Sequence, residues 1–217
     1  MIHFPAIDLT GKKALLIDID DTLYAFEPCH QKALEACHTE ITREGFLDLS
    51  LTDFKKFYTA TRQSVAKRLH PQGVCRSRLL AFLTFFESHS VKDGYQRALA
   101  YDSIYWNALM AHMQLEPQAE RLLKTACSRG MTVVAVTDML AAVQIQKLVK
   151  LGVSGYIHFI TTSEEAGAEK PSPLIFNQEL QKAKAMPEDA VMVGDSFEKD
   201  IKGAQNLGIA AYQVKVS

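Results

Sequence analysis

Acidic side chains follow a short apolar run near the start of the chain. The run Leu15–Ile17 leads directly into Asp18 and Asp20. A continuous apolar run is typical of a strand buried on both faces, as in parallel sheets. Because side chains alternate along a strand, Asp18 and Asp20 are predicted to point the same way. Two adjacent carboxylates repel each other, and a hard divalent cation with oxygen ligands is their natural partner.

Later segments also place polar side chains beside apolar runs or prolines. For each one alone, a structural role is the more common explanation: an acidic turn, a helix cap, a solvated lysine, or an acid at a helix N-terminus. Several such coincidences in one chain favour a common site instead. The later candidates are Thr137 and Asp138 after Met131–Val136, Lys170 before Pro171, and Asp195 and Asp200 after Ala190–Val193.

Strands and helices are predicted to alternate through most of the chain. Ser172 and Pro173 are typical of a helix N-cap and first helical position. This alternation predicts an α/β fold with a doubly wound parallel sheet, a Rossmann-like core with right-handed crossovers. Ligands bind such sheets at the carboxyl ends of the strands, where the candidate residues fall. After the first strand, the predicted strands are Met131–Val136, Tyr156–Thr161, Ala190–Val193 and Ile209–Tyr212.

The segment between the first two strands is far longer than the dozen or so residues that a crossover requires. Apolar residues at spacing i, i+3, i+4 and i+7 predict about four amphipathic helices there and no strand. We therefore predict an α/β core domain from residues 1–23 and 114–217, and an inserted α-helical cap domain, residues 24–113. A cap there would exclude water from the site and select substrates.

The candidate residues combine carboxylates with one lysine and one hydroxyl, which suits a cation together with an anion. Phosphate meets both requirements, and a carboxylate can attack phosphorus to form an aspartyl-phosphate. A second carboxyl group, such as Asp20, would then protonate the leaving oxygen and later activate water. A neighbouring like charge would raise the pKa of Asp20, while a nearby cation would oppose that rise. Lys170 and the metal would stabilise the transition state.

Four segments in this order resemble the motifs of the haloacid dehalogenase-like (HAD) hydrolase superfamily. They are DIDDT from Asp18, the strand that ends at Thr137, Lys170-Pro171-x-Pro173, and GDSFEKD from Gly194. The resemblance covers the core, residues 12–23 and 115–215. The helical insertion directly after the first motif is similar to the type-one cap of subfamily I.

The resemblance implies a magnesium-dependent mechanism with specific acids. Asp18 would be the nucleophile and a magnesium ligand. Asp20 would be the general acid/base, with its backbone carbonyl also on the metal. Asp195 would ligate magnesium directly, and Asp200 would do so through water or from behind a direct ligand.

The resemblance also implies a phosphate-binding set. Thr137 and the backbone amide of Asp138 would hold the phosphoryl group, and Lys170 would neutralise it together with the nucleophile. This chain departs from the family's usual pattern at two positions: relatives often carry Asn where it has Asp138, and Asn where it has Lys199. Asp138 would remove a side-chain donor and add a negative charge near the phosphate.

Composition limits the classes of binding partner and the cellular compartment that we expect for this protein. The net charge is −1 and no basic block stands out, which argues against nucleic acid or an acidic membrane as the main partner. Four scattered cysteines without a Cys-x-x-Cys pair favour a cytoplasmic protein without structural zinc. Neither a signal peptide nor an apolar run of the ~20 residues that span a bilayer is apparent. Monomer and homodimer both stay open.

The most concrete hypothesis is a phosphatase that hydrolyses a small-molecule phosphomonoester through an aspartyl-phosphate. A sugar phosphomutase of the same family is the alternative, followed by a catalytically impaired binding protein, which Asp138 keeps open. A haloacid dehalogenase would need no metal and no acid at Asp20, so the intact acid set argues against it. A phospho-aspartate receiver domain has a different motif order and no room for the insertion. Sugar phosphates, nucleotides and phosphoglycolate all stay open as substrates.

Overall fold

A computed structural model describes residues 2–216, which divide into two compact units. One unit contains the residues up to Phe26 together with those from Met113 onward, and the other is Glu27–His112. The sequence predicts domain boundaries after residues 23 and 113, and the structure divides the units after residues 26 and 112.

The first unit is built on a parallel sheet. Within the described residues its strand order is β4-β3-β2-β5-β6, and every neighbouring pair is parallel. The short strands β1 and β7 pair separately and antiparallel. The strands are β1 Ile2–His3, β2 Ala14–Ile17, β3 Thr132–Thr137, β4 Phe159–Thr162, β5 Ala190–Gly194, β6 Ala210–Gln213 and β7 Lys215–Val216.

Helices connect the strands of the first unit and form the second. The helix that begins at Pro173 has a side-chain cap: the Ser172 hydroxyl accepts from the Leu174 amide at 3.4 Å, and Pro173 occupies the first helical position. The helices are α1 Phe26–Glu44, α2 Leu51–Leu69, α3 Arg78–Ser88, α4 Gly94–Ala111, α5 Pro117–Ser128, α6 Ala141–Lys150, α7 Ser163–Ala166, α8 Pro173–Ala183 and α9 Gly203–Gln205.

The core of the first unit explains why its strands read as continuous apolar runs. The strands β2 and β5 are buried along their whole length, because helices cover both faces of a parallel sheet. Leu16 and Met192 pack in one cluster with Ile175 and Phe176 of α8. The α/β fold with a parallel sheet is therefore as predicted.

The second unit is helical, from α1 through α4, and its interior is aromatic. Phe54, Tyr58, Phe82 and Tyr105 are fully buried, and their rings meet at centroid distances such as 4.8 Å between Tyr58 and Phe82. Buried aromatic side chains bring large apolar areas to a small bundle. The spacing of these aromatic residues is what predicts the helices from sequence.

The sequence does not indicate three features of the first unit. The pairing of β1 with β7 involves two-residue strands, which are too short to show a period. Strand β4 begins at Phe159 rather than at Tyr156, because the Tyr156 amide turns back to the Val153 carbonyl at 2.9 Å. A π-helical turn at Phe197–Lys202 replaces the start of a continuous α-helix.

A carboxyl group on α8 is buried without a hydrogen-bond partner among the described residues. Glu179 is 0% exposed, and neither of its carboxyl oxygens has a hydrogen-bond partner among residues 2–216. Burial raises the pKa of Glu179 well above its ordinary value, although the Lys170 ammonium acts against the rise. The folded protein therefore favours the neutral carboxylic acid.

We expect Glu179→Gln to stabilise the protein increasingly as the pH rises. Above the ordinary pKa of 4.5, the unfolded chain releases a proton from Glu179 that the folded protein keeps. The wild-type free energy of unfolding therefore falls with pH up to the folded pKa. The variant lacks this loss, so its advantage should grow by at most about 1.4 kcal/mol per pH unit.

Urea unfolding at about pH 5 and about pH 8 measures this difference. Glu188→Gln, which changes an exposed carboxylate, is the matched control. An equal effect of Glu179→Gln at both pH values would contradict the expectation.

Candidate active site

The carboxyl ends of three adjacent strands bring the predicted residues together. Strand β2 lies between β3 and β5, with Ile17 in register with Ala135 and Val193. Asp18 continues β2, and its amide donates to the Val193 carbonyl at 2.9 Å. This register places Asp18 beside the ends of the strands that lead to Thr137 and Asp195.

Lys170 connects two of the acids. Its ammonium donates to Asp18 Oδ1 at 2.7 Å and to Asp200 Oδ1 at 2.6 Å, and it also reaches the Val136 carbonyl at 3.3 Å. The lysine is only 4% exposed. Burial lowers the pKa of Lys170, but Asp18, Asp200 and Asp138 outweigh it and leave that pKa well above its ordinary value. The folded protein therefore favours the charged form of Lys170.

Three carboxylates lie close enough to share one metal ion. Asp18, Asp195 and Asp200 each offer an oxygen, and these oxygens lie within 4.8 Å of one another. Burial raises the pKa of Asp18 well above its ordinary value, and it raises that of Asp195 to about 6, with Asp200 adding to both shifts. One lysine thus leaves an excess of negative charge, and the all-oxygen donor set fits a hard divalent cation such as Mg²⁺.

The π-helical turn and a glycine fix the position of Asp200. Asp200 is fully buried, and its Oδ2 accepts from the Ser196 amide at 2.9 Å. A Cβ on Gly194 would come within 2.3 Å of that same Oδ2. Both oxygens of Asp200 are thus already bonded within the protein, which suits a role behind a direct ligand. Asp195 extends from the end of β5 and is only half-buried.

Asp20 is held by donors that the sequence does not point to. Its Oδ1 accepts from the Lys147 ammonium at 2.6 Å and from the Tyr24 hydroxyl, and its Oδ2 accepts from Gln144 Nε2 at 3.0 Å. Burial raises the pKa of Asp20, but the charge of Lys147 and these hydrogen bonds outweigh it, so that pKa lies below its ordinary value. This direction is opposite to the rise expected from a neighbouring like charge, because Lys147 supplies the opposing cation. Tyr24 therefore belongs to the site rather than only to the packing.

Gln144 also contacts Thr137. Its Nε2 lies 2.6 Å from Thr137 Oγ1, so the hydroxyl of Thr137 accepts there and keeps its own proton to donate. The same Nε2 also donates to the Asp20 carboxylate. An amide oxygen at that position would face a negatively charged acceptor, which favours the orientation with the nitrogen there. Thr137 is thus prepared as a donor toward an anion.

The two departures from the family pattern contact each other. The Lys199 ammonium pairs with Asp138 Oδ2 at 2.6 Å and with Glu169 at 2.9 Å. The other oxygen of Asp138 accepts from the Lys170 amide at 2.8 Å. The carboxylate of Asp138 is therefore neutralised and holds the segment that carries Lys170. The backbone amide of Asp138 has no hydrogen-bond partner among residues 2–216.

Sequence reasoning does not identify Gln144, Lys147 and Glu169. A usable signal exists for the first two. On α6, Gln144 and Lys147 lie three residues apart on the side of the helix that buries Leu148. Polar residues within an apolar stripe are typical of a buried polar contact rather than of a solvated surface. Glu169 offers no comparable pattern.

The sequence and the fold resemble those of known proteins. The sequence profile of the haloacid dehalogenase-like hydrolases matches residues 12–208. A ribulose-1,5-bisphosphate 5-phosphatase of Halopiger xanaduensis is 34% identical over 196 residues, covering 90% of this chain and 82% of the relative. A glyceraldehyde 3-phosphate phosphatase of Methanopyrus kandleri is 30% identical, covering 94% of this chain and 84% of the relative. The crystal structure of a 2-haloacid dehalogenase from Pseudomonas syringae superposes with a TM-score of 0.75 at 22% identity, over 92% of this chain and 85% of that one.

The fold and the acidic site define a hydrolase with a Rossmann-like core. The chain belongs to the haloacid dehalogenase-like hydrolases. The predicted family and fold class are confirmed, and the predicted enzyme class, a phosphatase of this family, agrees with relatives that cover most of the chain. Among residues 2–216, no helix is both long enough and apolar enough to cross a membrane.

We expect Asp138 and Lys199 to be energetically coupled. Lys199→Met leaves Asp138 and Glu169 without the cation that they share, and this should cost about 1–3 kcal/mol of stability. In an Asp138→Asn background the same change should cost less, with a coupling of about 1 kcal/mol. Urea unfolding of the wild type, the single variants and the double variant measures it.

The pair Lys202 and Glu198 is the matched control, because it is an exposed ion pair at 2.7 Å on the same segment. Its coupling should stay near 0.3–0.5 kcal/mol, roughly the value of an exposed helical pair. A coupling between Asp138 and Lys199 no larger than this would show that the pair contributes no more than an exposed ion pair.

Proposed function

We propose that the protein is a magnesium-dependent phosphatase that hydrolyses a small phosphomonoester through an aspartyl-phosphate on Asp18. The observation that supports it most directly is the shared position of Asp18, Asp195 and Asp200 around Lys170. This set offers a carboxylate nucleophile, a fixed cation and an oxygen-ligand cluster at one strand edge. The phosphatase relatives support the same reaction class.

In the first half of the reaction, a carboxylate oxygen of Asp18 attacks phosphorus and the ester P–O bond breaks. Asp20 gives a proton to the leaving oxygen, so the product departs as an alcohol. Lys170 stabilises charge on the phosphoryl oxygens, and Thr137 donates its hydroxyl proton to one of them. The backbone amide of Asp138 is available for the same purpose.

In the second half, Asp20 accepts a proton from water as the water oxygen attacks the phosphorus of the aspartyl-phosphate. The acyl phosphate P–O bond breaks, and Asp18 and inorganic phosphate are regenerated. The groups that would bind Mg²⁺ directly are the carboxylates of Asp18 and Asp195 and the backbone carbonyl of Asp20. Asp200 would act through water or by supporting a direct ligand. When bound, the ion supplies Lewis-acid stabilisation of the phosphoryl oxygens.

The substrate class follows from the relatives. They act, by name, on ribulose 1,5-bisphosphate, on glyceraldehyde 3-phosphate and, in a pyrimidine 5'-nucleotidase of Streptococcus pneumoniae that is 29% identical, on nucleotides. All are small phosphate esters of a sugar or a sugar-like alcohol. We infer a substrate of that class, and we favour net hydrolysis over the phosphomutase alternative because these relatives are phosphatases. The intact acid set argues against an impaired binding protein.

The cellular setting is part of the same proposal. A small phosphorylated metabolite is the expected partner, rather than nucleic acid or membrane. A cytoplasmic location fits the four cysteines, none of which forms a disulfide among the described residues and three of which are buried. The protein would act there as a monomer or homodimer.

We expect Asp18→Asn to abolish turnover of p-nitrophenyl phosphate, because the amide cannot form the acyl phosphate. Activity should also disappear with EDTA and return with magnesium, since the carboxylate cluster needs a divalent cation. Phosphate release from sugar phosphates, triose phosphates and nucleotides, with and without magnesium, identifies the substrate.

The control is Asp48→Asn, which changes an exposed carboxylate in the other unit. Full activity of Asp18→Asn would remove the nucleophile from the proposal. Activity unchanged by EDTA would remove the metal, and isomerisation of a sugar phosphate without phosphate release would favour the mutase.

A further inference from the structure

Lys147 occupies a position that lysine rarely takes. Its side chain is 1% exposed, and its ammonium lies 2.6 Å from Asp20 Oδ1. The same ammonium lies 5.6 Å from the centre of the Tyr24 ring. A buried ammonium is costly unless it is paired. The contact with Asp20 therefore gives a physical reason for a lysine in the apolar stripe of α6.

The donors divide unequally between the two oxygens of Asp20. Oδ1 accepts from both Lys147 and Tyr24, while Oδ2 accepts only from Gln144 among the described residues. An ionised carboxylate has about four acceptor positions, two on each oxygen. Oδ1 is thus saturated and Oδ2 keeps one position. The side chain of Asp20 is 31% exposed, so a reacting molecule can reach it.

We propose that Lys147 is a positioning residue that saturates Asp20 Oδ1 and thereby directs proton transfer through Oδ2. The proposal rests on the function proposed above, in which Asp20 is the general acid/base. Oδ2–H gives its proton to the leaving oxygen as the ester P–O bond breaks. Oδ2 then takes a proton from water as the water oxygen bonds to phosphorus, which restores the starting state.

A purely structural role for Lys147 predicts a different pattern of loss. Misfolding would reduce the number of active molecules and would affect every substrate by the same factor. Loss of Asp20 positioning would affect only steps that need a proton transfer. Release of p-nitrophenolate needs little protonation because that anion is stable, whereas an alkoxide needs a proton to leave.

The test compares kcat/KM of Lys147→Met on glycerol 3-phosphate and on p-nitrophenyl phosphate, with magnesium present. The value of kcat/KM reports the steps up to and including release of the leaving group. We expect a loss of about tenfold or more on the alkyl ester, and about twofold or less on the aryl ester. With p-nitrophenyl phosphate, kcat should fall because water activation is slowed, while a burst of one nitrophenolate per enzyme persists.

Two further variants make the test sharp. Lys150→Met, at an exposed position of the same helix, should leave kcat/KM unchanged on both esters. Tyr24→Phe removes the other donor to Oδ1 without changing the shape of the ring, and it should shift the alkyl-to-aryl ratio in the same direction by a smaller factor. Tyr24→Phe decides the question if Lys147→Met does not fold.

Equal losses on the two esters, with a burst below one per enzyme, would overturn the positioning role. Unchanged kinetics on both esters would overturn it as well. A wild-type protein inactive on every ester tested would instead overturn the proposed function, so the two failures are distinguishable.

Discussion

The site depends on one buried ammonium that is shared by two buried carboxylates. Lys170 binds Asp18 and Asp200 at the end of the central strand. Each buried ion would be costly alone. Two acids on one lysine, with Asp195 beside them, leave negative charge that the protein itself does not neutralise. That imbalance is the physical reason why the cluster fits a divalent cation.

Much of this arrangement can be predicted from sequence, because the signals are local. Apolar runs indicate β2, β3 and β5, and the serine and proline at 172 and 173 indicate the start of α8. Once the strands are recognised, the topology of a parallel sheet requires that their carboxyl ends lie together. The proximity of Asp18, Asp195 and Lys170 follows from that requirement without any knowledge of side-chain contacts.

The contacts that could not be predicted join residues distant in sequence through side chains alone. The place of Lys147 and Gln144 on the buried side of α6 indicates a buried polar contact but not its partner. That partner, Asp20, lies 127 residues from Lys147 in the sequence. Asp138 and Lys199 each look like an isolated departure. Only the structure shows that the Asp138 carboxylate and the Lys199 ammonium form an ion pair. The direction of the pKa shift of Asp20 depends on the same kind of contact.

The lysines of the site divide the acids into separate groups. Lys170 forms ion pairs with Asp18 and Asp200, Lys147 forms one with Asp20, and Lys199 forms one with Asp138. Burial raises the pKa of Asp18 despite Lys170, whereas Lys147 and the other donors outweigh burial and lower the pKa of Asp20. These directions are the reverse of the usual division of work, in which the proton donor has the raised pKa and the nucleophile stays ionised. A divalent cation would act mainly on Asp18, since Lys147 already neutralises Asp20, and would favour the anionic form that a nucleophile requires.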